Sequence, residues 1–335
     1  MPVRIAINGF GRIGRAAFRI SLKRKDVEIV AINDLMDAAT AAHLLQYDTV
    51  YGTYDKQVQA KGSALVVAGK TFPLLSEKEP AKLPWKKMKV DVVLECTGRF
   101  TDNQTAGQHV TAGAKRVIIS APAKDDSTQT FVLGTESTAQ VIKRGALPQI
   151  VSNASCTTNC ISPVMQVLAS AFGVEKAMMT TVHSYTADQT LVDGPHRDLR
   201  RARAAGQNMI PTTTGAAVAT TQVIAGLDQL FDGISIRVPT ICVSLADITA
   251  VLAKPVTVEQ VNDALRKATR NPLFKNILAV TDVPLVSSDY TGSSYSAIVD
   301  APYTRVVGGT LVKVLAWYDN EWGYSTRLVE MAAAQ

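Results

Sequence analysis

A cysteine at a strand-to-helix junction is the strongest chemical feature of the chain. Ile150-Val151 reads as a strand end, and Ser152-Asn153-Ala154-Ser155-Cys156-Thr157-Thr158-Asn159-Cys160 follows with small hydroxyl and amide side chains around the thiol. Unpaired helix amides and the positive end of a helix dipole stabilise a thiolate. The setting therefore predicts a lowered Cys156 pKa and donors for the oxyanion of a tetrahedral intermediate. Pro163 removes one backbone bond from a helix starting at Cys156, which predicts a distorted first stretch. Such a nucleophile needs a base, and the chain offers His43, His109, His183 and His196. His183 closes the strand-like run Met178-Met179-Thr180-Thr181-Val182, which makes it the favoured base. His43 reads as packing or surface in an Ala/Leu helix, His109 as part of a helix in the first domain, and His196 as a loop residue. Cys156 and Cys160 have neither a second cysteine pair nor a histidine at ligand spacing, so no metal site is expected. Cys96 and Cys242, in apolar strand-like runs, read as free buried thiols.

Cationic and hydroxyl residues follow the thiol in sequence. The stretch 184–208 lacks a regular period and carries Arg197, Arg200, Arg201 and Arg203. A long basic loop inside a compact domain points to function, as a solvated face, an RNA-contacting patch, a subunit interface or an anion site. Thr212-Thr213-Thr214-Gly215 opens a helix where hydroxyls and amides suit a phosphate. Arg237 ends a strand-like run before Val238-Pro239-Thr240, well placed for bidentate anion binding. Two anion sites around one thiol make poor sense for a protease and good sense for a phosphorylated substrate.

The elements that must position this chemistry begin at the N-terminus. Residues 3–7 read as a buried strand, Gly9-Phe10-Gly11-Arg12-Ile13-Gly14 follows, residues 15–25 have helical character, and residues 27–32 form a second strand. Asp34 stands twenty residues after Gly14. Together these make the dinucleotide-binding βαβ pattern. Gly9 allows the tight turn, Gly11 lets a pyrophosphate approach the backbone, and Gly14 lets helix and strand pack closely. Amides at the helix N-terminus face the phosphates. The Asp34 carboxylate accepts from the adenosine ribose and repels a 2′-phosphate, so NAD rather than NADP is expected. Further runs, Val90-Asp91-Val92-Val93-Leu94-Glu95 and Arg116-Val117-Ile118-Ile119-Ser120, recur at βα spacing as strands of one parallel sheet. Thr97, Gly98 and Ser120 then either border the dinucleotide or are plain loop residues.

The expected fold class is α/β. It comprises an N-terminal Rossmann-type, doubly wound parallel sheet (residues 1–155, joined by a C-terminal helix over 322–335) and a second α+β catalytic domain of mixed or antiparallel sheet (156–319). The second includes a helix over 257–269 with a Thr257/Gln260 capping box and a strand over 310–317. At about 150 residues per domain, 335 residues also suit two domains. With 47% hydrophobic and 19% charged residues, disorder is excluded. A net charge of +6 fits an anionic small ligand as well as nucleic acid. Four cysteines do not make a disulfide scaffold, which favours a reducing compartment. The N-terminus lacks a signal-peptide apolar region, and no apolar run reaches the roughly 18 residues of a membrane helix. A cytoplasmic protein is expected.

These residues together resemble the phosphorylating glyceraldehyde-3-phosphate dehydrogenases over essentially the whole chain. The resemblance rests on Asn8 to Arg15 (NGFGRIGR), Asn33-Asp34, Ser152 to Cys160 (SNASCTTNC), His183-Ser184-Tyr185-Thr186, the stretch 198–203 (DLRRAR), Pro211 to Gly215, Arg237-Val238-Pro239-Thr240, and Trp317 to Tyr324 (WYDNEWGY). It implies that Cys156 is the nucleophile and His183 its base. Ser155, Thr157, Thr214 and Gly215 would line the site of attacking phosphate, and Thr186, Arg201 and Arg237 would bind the substrate's own phosphate. Arg12 and Ile13 would lie on the cofactor phosphates, and Asn320 would hold the nicotinamide carboxamide. The stretch 184–208 would be the loop that packs against neighbouring subunits of a homotetramer. The implied reaction converts D-glyceraldehyde 3-phosphate, NAD⁺ and phosphate to 1,3-bisphosphoglycerate through a Cys156 thiohemiacetal and thioester. Ala187 and Asp193-Gly194-Pro195 depart from the family's usual residues without touching that chemistry. The weighed alternatives are an erythrose-4-phosphate dehydrogenase-like, non-phosphorylating oxidation, a secondary RNA-binding role and an inactive structural relative.

Overall fold

In the computed structural model residues 1–334 are described, and they divide into two compact units. The first comprises Met1–Phe131, Val141–Ala154 and the C-terminal stretch from Ser325; the second comprises Val132–Gln140 and Ser155–Tyr324.

The first unit is built on a nine-stranded sheet. Its strands run Gln129–Thr130, Ile150–Ser152, Arg116–Ile119, Val92–Glu95, Val3–Asn8, Val27–Asn33, Lys70–Leu75, Ala64–Val67 and Val58–Ala60 from edge to edge. Neighbours are parallel as far as Lys70–Leu75, and the last two strands join antiparallel. Parallel strands covered on both faces must be apolar throughout, and Ile5, Ala6, Ile7, Val93, Leu94, Ile118 and Ile119 are fully buried. From Val3–Asn8 the chain passes first to the neighbour on one side and later returns to the neighbour on the other. That reversal opens a crevice at the carboxyl ends of these strands. The helix after the glycine turn is Arg12–Ser21, starting and ending earlier than the expected 15–25. Gly14 belongs there because a Cβ would overlap the Gly9 carbonyl oxygen, and Gly9 itself has φ +94° against the backbone of Cys96 and Thr97.

The second unit carries an eight-stranded mixed sheet. Its main path runs Ile210–Thr213, Phe231–Val238, Val174–Ser184, Ser244–Leu252, Leu311–Tyr318, Ala297–Asp300 and Leu278–Thr281. Ser244–Leu252 alternates strictly between buried and half-buried positions, the signature of a strand with one covered face. The cysteine helix, Cys156–Phe172, packs on this sheet, and its Ile161, Val164, Met165 and Leu168 are fully buried. It is continuous through Pro163, so the expected distortion does not interrupt it. Thr257 and Gln260 form the expected capping box at the start of Val258–Ala268. The stretch 132–140 belongs to this unit and not to the first, where a single boundary near 155 would place it. Gly134 packs on Ile277 and Pro163, and the Glu136 amide donates to Gln166 Oε1.

Candidate functional site

The cysteine helix begins where the sequence places it. Ser155 is its N-cap, its Oγ accepting the Thr158 amide at 3.0 Å, and Cys156 is the first helical residue. His183 comes from the penultimate position of Val174–Ser184, which lies parallel to Phe231–Val238 in a register that places His183 opposite Arg237. The Sγ of Cys156 lies 3.4 Å from His183 Nε2. On the other side of the ring, Nδ1 lies 2.7 Å from the Ser184 carbonyl, an approach that requires Nδ1 to carry the proton. The lone pair of Nε2 therefore faces the thiol. Arg237 Nη1 donates to the same carbonyl at 3.1 Å and to the Thr186 hydroxyl at 3.4 Å, and stands 2.9 Å from Nδ1. Burial, reinforced by that neighbouring guanidinium, pushes the His183 pKa down to about 3. Burial also pushes the Cys156 thiol up, against the pull of Arg237 and of the Thr157 hydroxyl and amide. The lowering expected from the helix terminus alone is thus opposed by desolvation, which outweighs the local donors and pushes the thiol up.

Behind the pair lies Tyr318, which stands in the stretch Trp317 to Tyr324 but to which the sequence reading gave no role. The Tyr318 hydroxyl sits 2.9 Å from Thr157 Oγ1 and 2.8 Å from Thr181 Oγ1, and its ring meets His183 edge-on at 6.0 Å. The Thr157 hydroxyl is thereby turned inward. Asn320 is buried, and its Oδ1 accepts from Ser184 Oγ at 2.9 Å and Ser244 Oγ at 3.1 Å, which leaves Nδ2 as the donor of this amide. Thr214 Oγ1 accepts the Ala216 amide, and Gly215 caps a short helix. Arg201 is tied down by Asp188, Asp198 and Thr212, which leaves it fewer donors for an anion than Arg237. The Arg237 Nε is buried without a partner.

The first unit has its own concavity, about 850 Å³, at the crevice beside the glycine turn. Gly9, Gly11, Asp34 and Thr97 line it, with Glu77 and Lys78 added from a loop no motif announced. Three observations fit a dinucleotide. The helix N-terminus at Gly11 has no side-chain cap, and a Cβ there would meet open space. Asp34 accepts the Phe10 amide at 2.6 Å and the Met36 amide at 2.9 Å, leaving about half of a carboxylate's acceptor sites for ribose hydroxyls. Gly98, between the lining residues Thr97 and Arg99, turns the chain at φ +68°, and a Cβ there would meet open space. Arg12 is ion-paired to Asp48 at 2.5 Å beside Tyr51, while Ile13 is half-buried in the first helical turn. Ser120 is half-buried, its amide bonded to the Glu95 carbonyl. Cys96 lies just beyond its strand, half-buried in the cleft wall, instead of deep inside as expected. Cys242 is buried, its thiol donating to Asp319. His109 is fully buried, His43 exposed and His196 half-buried. Among the described residues no group of acidic, histidine and cysteine side chains could hold a metal ion.

Comparison with known proteins decides the family. Residues 3–103 match a family model described as the NAD binding domain of glyceraldehyde 3-phosphate dehydrogenase, and residues 155–320 match its C-terminal domain. The chain belongs to the glyceraldehyde-3-phosphate dehydrogenase family. It is 52% identical over 333 residues to the glyceraldehyde-3-phosphate dehydrogenase of Geobacillus stearothermophilus, covering 99% of this chain and 98% of the relative. It is 50% identical over 332 residues to that of Streptomyces coelicolor, with 99% and 98% covered. It is also 51% identical over 337 residues to the plasmid-encoded enzyme of Cupriavidus necator, covering 100% and 98%. This family member is an NAD-dependent oxidoreductase. The erythrose-phosphate and RNA-binding alternatives are not favoured by these relatives.

Proposed function

We propose that the protein oxidises glyceraldehyde 3-phosphate with NAD⁺ and phosphate, and that Cys156 carries the acyl group. The observation that carries the reading is the 3.4 Å approach of the Cys156 thiol, at the start of a 17-residue helix, to Nε2 of His183. Nε2 takes the thiol proton as sulfur attacks the aldehyde carbon, and returns it to the oxygen to give a thiohemiacetal. It then takes the hydroxyl proton as the C–H bond breaks. NAD⁺, when bound, supplies the hydride acceptor. The Gly9, Gly11, Gly14, Arg12 and Ile13 turn would hold its phosphates, Asp34 its ribose, and Thr97, Gly98 and Ser120 the cleft wall. The Nδ2 of Asn320 suits the carboxamide oxygen. Phosphate then attacks the Cys156 thioester and expels the thiolate. Arg237, with its unpartnered Nε, is the first choice for anion binding, supported by Ser155, Thr157, Thr186, Arg201, Thr214 and Gly215.

Leu191, Val192 and Leu199 are 85%, 72% and 82% exposed on the 184–208 stretch, which supports its burial against other copies in a homotetramer. All four cysteines are free, which suits the cytoplasm; no helix among the described residues is long and apolar enough to cross a membrane. The reading is tested by NADH formation from glyceraldehyde 3-phosphate with and without phosphate. Turnover must need phosphate and yield an acyl phosphate; equal rates without it overturn the proposal.

A further inference from the structure

Beneath the dinucleotide cleft lies a buried polar relay that the mechanism does not use. Glu95, at the end of the strand Val92–Glu95, is fully buried. Its Oε1 accepts the Thr97 amide at 2.8 Å and the Thr97 hydroxyl. Its Oε2 accepts Asn8 Nδ2 at 2.5 Å and His109 Nε2 at 3.0 Å. These donors fill the roughly four acceptor sites of a carboxylate. The histidine can only donate here, because the Trp85 indole N–H, itself donor-only, occupies Nδ1 at 2.9 Å.

An acceptor-only group at one end dictates every amide beyond it. Asn8 must turn Nδ2 to Glu95, so its Oδ1 accepts Asn33 Nδ2 at 2.7 Å. Asn33 in turn donates to the Glu77 carbonyl at 2.9 Å and accepts the Glu77 amide at 2.9 Å. Backbone groups cannot exchange roles, so the relay is fixed at both ends. Its members Asn8, Asn33, Glu77 and Thr97 are also walls of the cleft.

We propose that Glu95 is a positioning residue for the cofactor: its carboxylate sets the polarity of the Asn8–Asn33–Glu77 relay and so holds the cleft in its binding shape. This rests on reading the cleft as the NAD site. Glu95→Gln has the same shape but brings an N–H₂ into a nest of donors. If the amide faces Thr97, it opposes a backbone N–H. If it faces Asn8, that side chain must flip, then Asn33, whose flipped amide opposes both backbone groups of Glu77. Asn8→Asp combined with Glu95→Gln moves the charge one link along. The carboxylate introduced at position 8 then accepts from Asn33, from the amide introduced at position 95 and from His109, which lies 3.3 Å from the position 8 side-chain nitrogen. The polarity beyond is thereby restored.

The test is NAD⁺ titration of the full-length protein by calorimetry, with steady-state kinetics and apo thermal midpoints. Glu95→Gln should weaken NAD⁺ binding and raise its KM by about tenfold, the scale of one frustrated buried hydrogen bond. The kcat at saturating NAD⁺ should change less than about threefold, because the thiol centre lies on other elements. The double variant should regain binding to within about threefold of wild type. Unchanged NAD⁺ affinity in a folded Glu95→Gln overturns the proposal, as does a folded double variant that fails to recover. If the single variant does not fold, the double variant decides alone: folded with near-normal affinity supports the relay, and unfolded or non-binding overturns it. Failure of the wild type to bind NAD⁺ would instead sink the cofactor site itself.

Discussion

Replacing His183 by Asn removes the group that stands 3.4 Å from the Cys156 thiol while keeping a polar side chain of similar reach. Loss of a general base costs about 10²–10⁴-fold. The geometry places this case near the lower end. Burial and Arg237 hold the imidazole pKa down to about 3, so it is a weak base at neutral pH and supplies less driving force than one poised near 7. Arg237 and the first-turn amides survive the substitution. A loss of about 10²-fold, or roughly 3 kcal/mol of barrier, is expected in the first turnover. The assay is rapid mixing of enzyme and NAD⁺ with glyceraldehyde 3-phosphate in the absence of phosphate, following the NADH burst from pH 6 to 9. The burst rate should fall in the variant and rise more steeply with pH, because hydroxide must replace the missing base. A burst within about threefold of wild type at every pH would refute the role drawn from the Cys156–His183 geometry.

Other substitutions separate the remaining roles. Cys156→Ser should abolish turnover, leaving no more than about 10⁻³ of activity, while calorimetric NAD⁺ affinity stays within about threefold. Arg237→Leu removes the charge that pulls the Cys156 thiol down, so its pKa should climb further above the usual range. Iodoacetamide labelling at pH 7 should slow about tenfold for each unit of rise, and equal labelling rates would remove Arg237 from the thiol's field. Asp34→Ala removes a charged acceptor for the ribose and should shift the NAD-to-NADP ratio of kcat/KM by about 10–100-fold toward NADP. It should also lower the thermal midpoint, because the Phe10 and Met36 amides lose their acceptor.

How much was legible in the chain follows the range of the interactions involved. The glycine turn, the helix start at Cys156, the Thr257 box and the alternating strand over 310–317, found as Leu311–Tyr318, all read correctly, since each depends on φ, ψ and neighbours a few residues away. The helix after the glycine turn was displaced by three to four residues, because helix ends depend on packing as well as on caps. The role of Tyr318 could not be read even though it stands in the stretch Trp317 to Tyr324: its partners Thr157 and Thr181 lie 161 and 137 residues away, and a tyrosine in an alternating strand carries no mark of them. The Glu95 relay was hidden for the same reason, with Asn8 lying 87 residues upstream.

By itself the sequence determined which atoms could react and which turn could cradle phosphates, because thiol, imidazole, guanidinium and glycine are properties of residue type and local backbone. Only the tertiary structure decided their working state. A parallel register set His183 beside Arg237, a backbone carbonyl chose the imidazole tautomer, and burial raised the thiol that the helix terminus alone would have lowered. Acid–base poise is a balance of desolvation against charge, and both are sums over neighbours that folding brings together.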